Sequence, residues 1–495
     1  MTLSIQRPRE AAPAVGDVRL LIDGRRVDAL DGATFATTDP SSGAVLARVA
    51  EAGAADVDLA VAAARRALTE GPWSRATPAD RARILWRLGD LILEHGEELA
   101  GLETLDNGKT FASALAVDVP QAAGLFHYMS GWATKVEGAT IPISFPGHFH
   151  TYTRREPVGV CALIVPWNYP LGQCSWKIAP ALACGNTVVV KPAEQTPLTA
   201  LRLGELALQA GVPEGVLNVV PGFGPTTGAA LAGHPGVDKV AFTGSTETGR
   251  EIVRLSTGNL KKVSIELGGK SPHVVFGDAD LPAAIQGVAD GIFFNQGEVC
   301  NAGSRVYVHE SIHDEVVAGV ADAARGLTVG DGFDPATEVG PLISAGHRDV
   351  VRGYVEAGVA AGAELVAGGE AVGDAGWFLT PAVFANARPE MSIVREEIFG
   401  PVVAIQSFRD EAEVLAAAND SSFGLAAGVW TEDASRAHRM AHALKAGTVW
   451  VNGFGVFDAA LPFGGVRESG WGREMGRAVL DDYLETKTVC VRVGA

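Results

Sequence analysis

Short apolar runs separated by helical segments dominate the pattern of the chain from about residue 158 onward. Four such runs lie at 158–165, 187–191, 216–220 and 239–244. Segments with helical character lie between or after these runs, at 198–210, 225–232 and 246–256. Apolar runs of this length that alternate with helices are typical of buried parallel strands in βαβ units. The pattern therefore predicts a doubly wound, Rossmann-like α/β domain that binds a nucleotide.

A second α/β series begins near residue 270. It contains predicted strands at 273–276, 402–405 and 448–451, and predicted helices at 281–296 and 311–326. Upstream, residues 57–105 have helical spacing and form scaffold, with Thr77 as an N-cap before Pro78. The stretches 138–157 and 486–493 are rich in β-forming residues but belong to neither series. We expect them to form a β-hairpin and a C-terminal arm that pair with another subunit.

Composition and charge narrow the class of protein. The chain has 495 residues, too many for one core, and a net charge of −18. That charge argues against nucleic acid or an anionic membrane surface as a partner. The five cysteines form no CxxC pair, so we expect neither a disulfide framework nor a metal site, and a reducing cytoplasm is the natural compartment. The N-terminus lacks the apolar region of a secretory signal, and no apolar run approaches the ~20 residues of a membrane helix.

Candidate chemistry begins with Cys300, which has Gly297 before it and Ala302 and Gly303 after it. Small neighbours allow another molecule to approach the sulfur closely. Glu266, in Glu266-Leu267-Gly268-Gly269, is a candidate general base on a tightly placed backbone. Together they indicate covalent catalysis by a thiol. The alternatives are that Cys300 is a small buried hydrophobic residue and Glu266 a surface residue before a turn.

Two strand ends carry candidate cofactor contacts. Gly244 and Ser245 follow a predicted strand and open a helix, where a phosphate group can bind. The alternative is an ordinary strand-to-helix turn with a serine cap. Glu194, three residues after Lys191, is suited to bind ribose hydroxyls and to repel a 2′-phosphate, which favours NAD over NADP. The alternative is a solvated loop with a weak ion pair.

A stiff loop, Pro166-Trp167-Asn168-Tyr169-Pro170, carries a neutral donor. The side-chain amide of Asn168 can stabilise a developing oxyanion. The alternative is a turn asparagine, which is common.

Seven motifs in order and spacing resemble the aldehyde dehydrogenase superfamily. They are 166–168, 191–197, 242–249, 266–269, 297–300, 396–401 and 462–465, and the resemblance extends from about residue 20 to the C-terminus. The resemblance implies an NAD-binding domain at 1–137 and 158–267, a catalytic domain at 268–475, and an oligomerisation hairpin and arm at 138–157 and 476–495. It also implies a homodimer or homotetramer.

The resemblance assigns roles to the matching residues. Cys300 is the expected nucleophile, Asn168 and the Cys300 backbone N–H hold the oxyanion, and hydride transfer to NAD⁺ leaves a thioester. Glu266 is expected to activate the water that hydrolyses it. Lys177 and Glu474 match positions that relay a proton, with a buried structural ion pair as the alternative. The expected cofactor contacts are Trp167, Lys191, Glu194, Gly244, Ser245, Leu267, Gly268, His347, Glu397 and Phe399.

Some positions depart from the family pattern or leave alternatives open. Arg467 stands where the family often has lysine, and His347 where it often has glutamine, so His347 is either a cofactor contact or a surface helix residue. Asp106 and Gln195 resemble a site for a monovalent cation, with a plain loop hydrogen bond as the alternative.

The substrate tunnel is expected to be lined by aromatic residues. By resemblance its residues are Tyr169, Trp176, Phe294, Phe457 and Phe463, with Asp458 beside them. Such walls favour an aromatic or medium apolar aldehyde, or an aminoaldehyde or betaine-type cation held by cation–π contact and attracted by Asp458. The stretches 128–135 and 457–463 resemble phenylacetaldehyde-type dehydrogenases, which implies a substrate of that type. The alternatives are aromatic core residues with broad specificity, a CoA-acylating semialdehyde dehydrogenase, and a non-catalytic binding protein on the same fold.

Overall fold

The computed structural model describes residues 13–494 as a mixed α/β protein. Its strands are β1 (Leu20–Ile22), β2 (Arg25–Val27), β3 (Thr34–Thr38), β4 (Val45–Ala50), β5 (Phe149–Pro157), β6 (Val160–Ile164), β7 (Thr187–Lys191), β8 (Leu217–Val219), β9 (Lys239–Thr243), β10 (Lys262–Glu266), β11 (Pro272–Val275), β12 (Arg305–His309), β13 (Glu364–Ala367), β14 (Ala371–Val372), β15 (Phe378–Leu379), β16 (Ala382–Ala385), β17 (Val402–Phe408), β18 (Ala426–Trp430), β19 (Thr448–Val451), β20 (Gly470–Trp471) and β21 (Leu484–Arg492).

Helices alternate with these strands. They are α1 (Ala54–Thr69), α2 (Pro78–Glu94), α3 (Gly96–Asn107), α4 (Phe111–Ser113), α5 (Val119–Ala133), α6 (Pro170–Ala183), α7 (Leu198–Gln209), α8 (Ala229–Gly233), α9 (Thr246–Leu255), α10 (Leu281–Phe293), α11 (His313–Gly326), α12 (Ala345–Ala360), α13 (Ser392–Arg395), α14 (Glu411–Asn419) and α15 (Ala434–Ala443). Short 3₁₀ or π turns lie at Pro72–Arg75, Ala114–Asp118, Gly224–Gly228, Ser256–Asn259, Phe294–Gly297, Glu310–Ile312, Arg467–Ser469 and Ala478–Asp482.

The first large sheet has the order β2-β1-β8-β7-β6-β9-β10-β20. Its central strands β8, β7, β6, β9 and β10 run parallel. Every residue of β6, β7 and β9 is buried, because helices cover both faces of the sheet. Burial on both faces explains why these strands read as continuous apolar runs. The predicted Rossmann-like domain is confirmed.

The second large sheet has the order β13-β16-β17-β12-β11-β18-β19. All of its pairs are parallel except the edge pair β13 and β16. The predicted second α/β series is therefore also confirmed. β20 lies in the range 268–475 but pairs antiparallel with β10, so this segment joins the first sheet.

The C-terminal arm forms a two-stranded antiparallel ribbon with β5 of the same chain. The ribbon runs from Leu484 opposite Pro157 to Arg492 opposite Phe149. The expected hairpin within 138–157 is short, with Ile141 N donating to Thr151 O at 3.0 Å. The strand pairing that the sequence assigned to another subunit is thus made largely inside the chain.

Two predicted helices differ from the observed ones. The helix predicted at 281–296 ends at Phe293, because Asn295 and Gln296 have left-handed φ values of 49° and 58°. The helix predicted at 225–232 begins as a π turn, Gly224–Gly228, and continues as α8. Among residues 13–494, no helix is both long and apolar enough to cross a membrane. Residues 1–12 of the expected first domain and residue 495 of the expected arm lie outside the described residues.

The two sheets converge on one region. The carboxyl ends of β6, β7, β9 and β10 carry the Asn168 loop, Lys191, Gly244 with Ser245, and Glu266, respectively. Cys300 lies in the loop before β12 of the second sheet, and Glu397 and Phe399 lie in the loop before β17. Crevices at the carboxyl ends of parallel strands are the usual ligand sites of doubly wound folds. The fold therefore gathers the predicted residues between the two sheets.

Candidate active site

The loop before Cys300 has an unusual backbone. Asn295, Gln296 and Gly297 have φ values of 49°, 58° and 70° in succession. A Cβ at Gly297 would lie 2.3 Å from the backbone of Gly400, so only glycine fits there. Asn295 and Gln296 are strained, at about 1–3 kcal/mol each. Asn295 Nδ2 donates to Asn168 O at 3.2 Å, which ties the strained loop to the Asn168 loop.

Cys300 lies where two cavities meet. One cavity, of about 220 Å³, contains most of the expected cofactor contacts and is called the cofactor cleft below; it is lined by Pro166, Trp167, Asn168, Gln173, Thr243, Gly244, Ser245, Glu266, Leu267, Gly268, Cys300, Glu397 and Phe399. The other, of about 500 Å³, contains most of the expected substrate contacts and is called the substrate cavity; it is lined by Val117, Asp118, Gln121, Tyr169, Gly172, Gln173, Trp176, Asp290, Gly291, Phe294, Val299, Cys300, Asn301, Phe454, Gly455 and Phe457. Cys300 is half-buried and lines both, so two ligands can approach its sulfur from different sides.

The charge environment of Cys300 favours the neutral thiol until a base removes its proton. Burial and the nearby charge of Glu266 raise the pKa of Cys300 well above its usual value. Burial also raises the pKa of Glu266 to about 8, although the Lys177 charge opposes this shift. An interaction with the Cys300 thiol lowers the pKa of Glu266 in part, and among residues 13–494 its carboxyl oxygens have no other hydrogen-bond partner. Glu266 is therefore a buried carboxyl next to the thiol whose pKa suits proton transfer near neutral pH.

Asn168 is buried beside Cys300 with half of its donor capacity in use. Its Nδ2 donates one hydrogen bond to Glu298 O at 2.9 Å. A carboxamide nitrogen has two N–H groups, so the second N–H remains for a ligand in the cofactor cleft that Asn168 lines. The first hydrogen bond fixes the direction of the second N–H.

Lys177 and Glu474 form a buried ion pair behind the cofactor cleft. Lys177 Nζ also donates to Thr243 Oγ1 at 2.7 Å, and Thr243 lines the cleft. The second carboxyl oxygen of Glu474, Oε2, has no hydrogen-bond partner among residues 13–494. The pair lines neither cavity directly, and Thr243 connects it to the cleft.

Glu397 closes one wall of the cofactor cleft. Its Oε1 accepts a hydrogen bond from Gly269 N at 3.0 Å, and burial raises the pKa of Glu397 to about 7. A Cβ at Gly268 would lie 1.9 Å from the Glu397 carboxyl. The Gly-Gly step therefore lets the Glu266 strand end and the Glu397 loop approach each other closely.

Lys191, Glu194 and Ser245 lie around the outer part of the cleft. Lys191 Nζ donates to Glu194 Oε2 at 3.2 Å, and the Glu194 side chain is 31% exposed. Neither of these two lines the 220 Å³ cavity. Ser245 does, and it caps α9 because its Oγ accepts from Thr248 N at 3.2 Å. Gly244 is required beside it because a Cβ would meet the Phe242 ring at 2.5 Å.

His347 packs against the cofactor cleft without lining it. Its Nε2 donates to Phe399 O at 2.7 Å, and its ring lies 5.5 Å from that of Trp167. The rings of Trp167 and Phe399 meet edge to face at 5.2 Å. Burial lowers the pKa of His347, so it is neutral and positions these two cleft residues. It is not a free surface residue.

The substrate cavity contains four of the six predicted substrate residues: Tyr169, Trp176, Phe294 and Phe457. Phe463 is buried behind them, with its ring 5.5 Å from Trp176 and 5.3 Å from Phe457. Asp458 does not line the cavity, and its carboxyl instead accepts from Ala460 N at 2.8 Å.

Sequence reasoning missed several lining residues, most notably Gln121, Gln173, Asn301 and Phe454. Gln173 lies three residues before Trp176 and four after Tyr169, and the helical spacing alone was a signal that they share a face. Asn301 follows Cys300 directly. Nothing in the local sequence marks Gln121 or Phe454.

Two further predictions concern sites outside the cavities. Asp106 Oδ2 accepts from Leu198 N at 3.1 Å and Gln195 O accepts from Thr37 Oγ1 at 3.0 Å, while Asp106 Oδ1 is buried with no hydrogen-bond partner among residues 13–494, so the cation site and the loop hydrogen bond both stay predictions. The described part of the chain contains no cluster of three or more His, Cys, Asp or Glu side chains arranged for a metal. Arg467 donates to the Asn419 and Ser421 carbonyls at 3.0 Å and 2.8 Å and so joins loops of the second sheet.

Comparison with known proteins agrees with this geometry. The sequence model of the aldehyde dehydrogenase family matches residues 27–489. The chain is 51% identical to aldehyde dehydrogenase family 2 member B4, mitochondrial, of Arabidopsis thaliana, across 96% of this chain and 88% of that protein. It is 48% identical to benzaldehyde dehydrogenase, mitochondrial, of Antirrhinum majus, across 98% and 91%. The NAD⁺ complex of an aldehyde dehydrogenase from Bacillus cereus superimposes with a TM-score of 0.96, at 48% identity and 99% coverage of both chains.

The chain belongs to the aldehyde dehydrogenase family. It is an oxidoreductase enzyme of that family, and the resemblance drawn from the seven motifs is confirmed at this level.

Proposed function

We propose that the enzyme oxidises an aldehyde to a carboxylic acid with NAD⁺, using Cys300 as the nucleophile. The observation that carries the proposal is that Cys300 alone among the predicted catalytic residues lines both cavities. Hydride transfer needs the substrate carbon close to the cofactor ring, and a sulfur that lines both cavities can hold that carbon where they meet. The solved structure of the Bacillus cereus relative in complex with NAD⁺ supports the choice of cofactor.

The residues of the cleft fit a dinucleotide. Gly268 and Glu397, which lie too close together for a Cβ at position 268, form one wall of the cleft, and Ser245 caps the positive end of α9 beside it, where a phosphate can bind. We assign ribose contacts to Glu194 and Glu397, with Lys191 holding Glu194 in place. NAD⁺, when bound, supplies the oxidant, because its nicotinamide accepts a hydride from the substrate carbon. Trp167 and Phe399 wall the same cleft.

Formation of the covalent intermediate requires the Cys300 thiolate. The thiol proton passes to solvent water that enters the open cavities, and a neutral Glu266 favours this ionisation because a charged Glu266 raises the pKa of Cys300. The thiolate adds to the aldehyde carbon and forms a thiohemiacetal, whose oxyanion accepts hydrogen bonds from the second N–H of Asn168 and from the Cys300 backbone N–H. Oxidation of the thiohemiacetal leaves a thioester on Cys300.

Hydrolysis of the thioester is assigned to Glu266. Its pKa of about 8 and its interaction with the Cys300 thiol, next to the carbon to be hydrolysed, suit it to take a proton from water. The hydroxide adds to the thioester carbon, and the acid leaves as the Cys300 sulfur departs. Lys177 and Glu474 then provide a proton route through Thr243, or hold β9 and the Glu474 loop as a structural pair. A carboxyl at Glu266 favours water over CoA as the acyl acceptor.

An aromatic, phenylacetaldehyde-like aldehyde suits the cavity best. Aromatic side chains form much of its wall, and a relative is a benzaldehyde dehydrogenase. A cationic aminoaldehyde has less support, because Asp118 in the wall is already paired with Lys109 at 3.0 Å and Asp458 lies outside the cavity, which leaves the exposed Asp290 as the other acidic residue of the lining.

We further propose a cytoplasmic homodimer or homotetramer, with an NAD-binding domain at 1–137 and 158–267, a catalytic domain at 268–475, and an oligomerisation hairpin and arm at 138–157 and 476–495. All five cysteines are free, which fits a reducing compartment. The two-stranded ribbon of β5 and β21 retains an unpaired edge that another subunit can use.

A panel assay tests the proposed function. NADH formation is measured with aromatic, aliphatic and amino aldehydes, with and without CoA. We expect the highest kcat/KM with an aromatic aldehyde, no CoA requirement and a free acid as product. A strict CoA requirement would overturn the hydrolytic assignment, and a preference for aminoaldehydes would overturn the aromatic one.

A further inference from the structure

Gln173 occupies the same junction as Cys300, yet the proposed mechanism does not use it. Its side chain is 3% exposed, and it is the one residue besides Cys300 that lines both the cofactor cleft and the substrate cavity. Its Oε1 is buried with no hydrogen-bond partner among residues 13–494. Buried side-chain oxygens are normally paired, so an unpaired one at a ligand cavity marks a place for a polar ligand atom.

The surroundings of Gln173 set the kind of ligand. Tyr169, the N-cap residue of α6, and Trp176, three residues after Gln173 in the helix, line the same cavity with aromatic rings. Gly172 leaves space beside them, since a Cβ there would meet only Tyr169 Cβ, at 3.7 Å. The ligand is therefore a flat ring with a polar group near Gln173. A hydroxyl can pair with either end of a carboxamide, because it both donates and accepts.

The position of the hydroxyl follows from the position of Cys300. The aldehyde carbon must lie at the sulfur, and Gln173 lies at that same end of the substrate cavity. A ring hydroxyl ortho to the aldehyde is close to this end, whereas a para hydroxyl points away from it. Gln121, which is exposed and lines the substrate cavity but not the cofactor cleft, lies away from the junction.

We propose that Gln173 is a specificity-determining residue that selects aromatic aldehydes carrying a hydroxyl group ortho to the carbonyl. The inference rests on the proposed function, because it takes Cys300 as the nucleophile. The Gln173 carboxamide hydrogen-bonds the ortho hydroxyl and thereby orients the carbonyl toward the sulfur. A site with a buried polar group of this kind discriminates strongly against analogues that leave it unpaired.

The test compares kcat/KM for benzaldehyde, ortho-hydroxybenzaldehyde and para-hydroxybenzaldehyde in the wild type, Gln173→Met and Gln121→Met. The readout is the ortho-to-benzaldehyde ratio of each variant divided by that of the wild type. In this quotient, the intrinsic reactivity of the aldehydes and any loss common to both substrates cancel. We expect Gln173→Met to lower it by about tenfold or more. Gln121→Met should change it less than twofold, and neither the para ratio nor the KM for NAD⁺ should shift with Gln173→Met.

A wild-type measurement covers the case in which Gln173→Met fails to fold. The product analogue ortho-hydroxybenzoate should then inhibit the wild type at least about fivefold more tightly than the para isomer. Equal losses for all three aldehydes, a raised KM for NAD⁺ or equal inhibition by the two acids would overturn the role of Gln173. Failure of the wild type to form NADH from any of the aldehydes would instead overturn the proposed function.

Discussion

The two cavities that meet at Cys300 are built in different ways. The cofactor cleft is formed largely by strand ends and tight loops, and glycines at 244 and 268 bring backbone and side chains within a few ångströms of one another. The substrate cavity is formed by residues of the π turn before α5, the start of α5, α6, the end of α10 and the loops around Cys300 and after β19. Backbone geometry tolerates little change, whereas side chains exchange without moving the fold. We therefore expect substitutions in the substrate cavity to change the substrate specificity, while the cofactor cleft keeps the same chemistry.

The two cavities also differ in the charged side chains that line them. Glu266 and Glu397 in the cofactor cleft are buried carboxyls with pKa values raised to about 8 and about 7. In the substrate cavity, Asp118 is paired with Lys109, which also contacts Glu103 at 3.3 Å and lies 4.2 Å above the Tyr169 ring. The cleft side of Cys300 therefore carries the two buried carboxyls Glu266 and Glu397, and the substrate side presents an aromatic wall with a charge-compensated Asp118 and an exposed Asp290.

The largest expected effect is at the residue that the cavities share. Cys300→Ala should lower NADH formation at least about 10⁴-fold, because no nucleophile remains. NAD⁺ binding, followed by fluorescence titration, should persist, since the rest of the cleft is unchanged. Cys490→Ala, on the exposed arm, is the matched control and should retain wild-type activity. Wild-type activity in Cys300→Ala would rule out the mechanism.

The second-largest effect is expected at Glu266, which lines the cofactor cleft but not the substrate cavity. Glu266→Gln should retain a burst of NADH but lower steady-state turnover by roughly 10²-fold or more, because the base for hydrolysis is lost. The active form of Glu266 in hydrolysis is the carboxylate, so wild-type deacylation should rise as pH increases through about 8. In the variant this rise should disappear. Stopped-flow and steady-state assays between pH 6 and pH 9 measure both steps, and loss of the burst would show that Glu266 acts before hydride transfer.

A smaller effect is expected at the outer end of the cleft. Glu194→Gln removes a negative charge that repels a 2′-phosphate, so kcat/KM with NADP should rise relative to NAD by roughly tenfold, or about 1.4 kcal/mol. Glu247→Gln, an exposed carboxyl in the first turn of α9, is the control and should leave the cofactor ratio unchanged. An unchanged ratio in Glu194→Gln would place the ribose contact elsewhere.

The smallest effect should come from Asp458, which lies beside the substrate cavity in sequence but outside its wall. Asp458→Asn should change the ratio of kcat/KM for an aminoaldehyde and benzaldehyde by less than twofold. Asp290→Asn, in the wall itself, provides the comparison. A larger change for Asp458→Asn than for Asp290→Asn would contradict a cavity wall that includes Asp290 and leaves Asp458 outside.

The sequence by itself determined the fold class and the residues gathered at Cys300. Strands buried on both faces must be apolar throughout, so β6, β7 and β9 were visible as continuous runs. Residues at the ends of such strands meet at one edge of the sheet, which brought Asn168 and Glu266 to the same region. The apolar strands are short local patterns that alternate regularly with helices, so they can be recognised without the tertiary structure.

Only the tertiary structure decided which side chains face each cavity. Gln173 lines the junction of the two cavities, whereas Asp458 and Phe463 lie outside the wall of the substrate cavity. The sequence does not reveal this arrangement, because a cavity is the space between elements that are distant in sequence. The left-handed backbone at Asn295 and Gln296, which ends α10 before Cys300, likewise depends on Asn168 and on the close approach of Gly400 to Gly297. Local propensity cannot predict a conformation that long-range contacts impose.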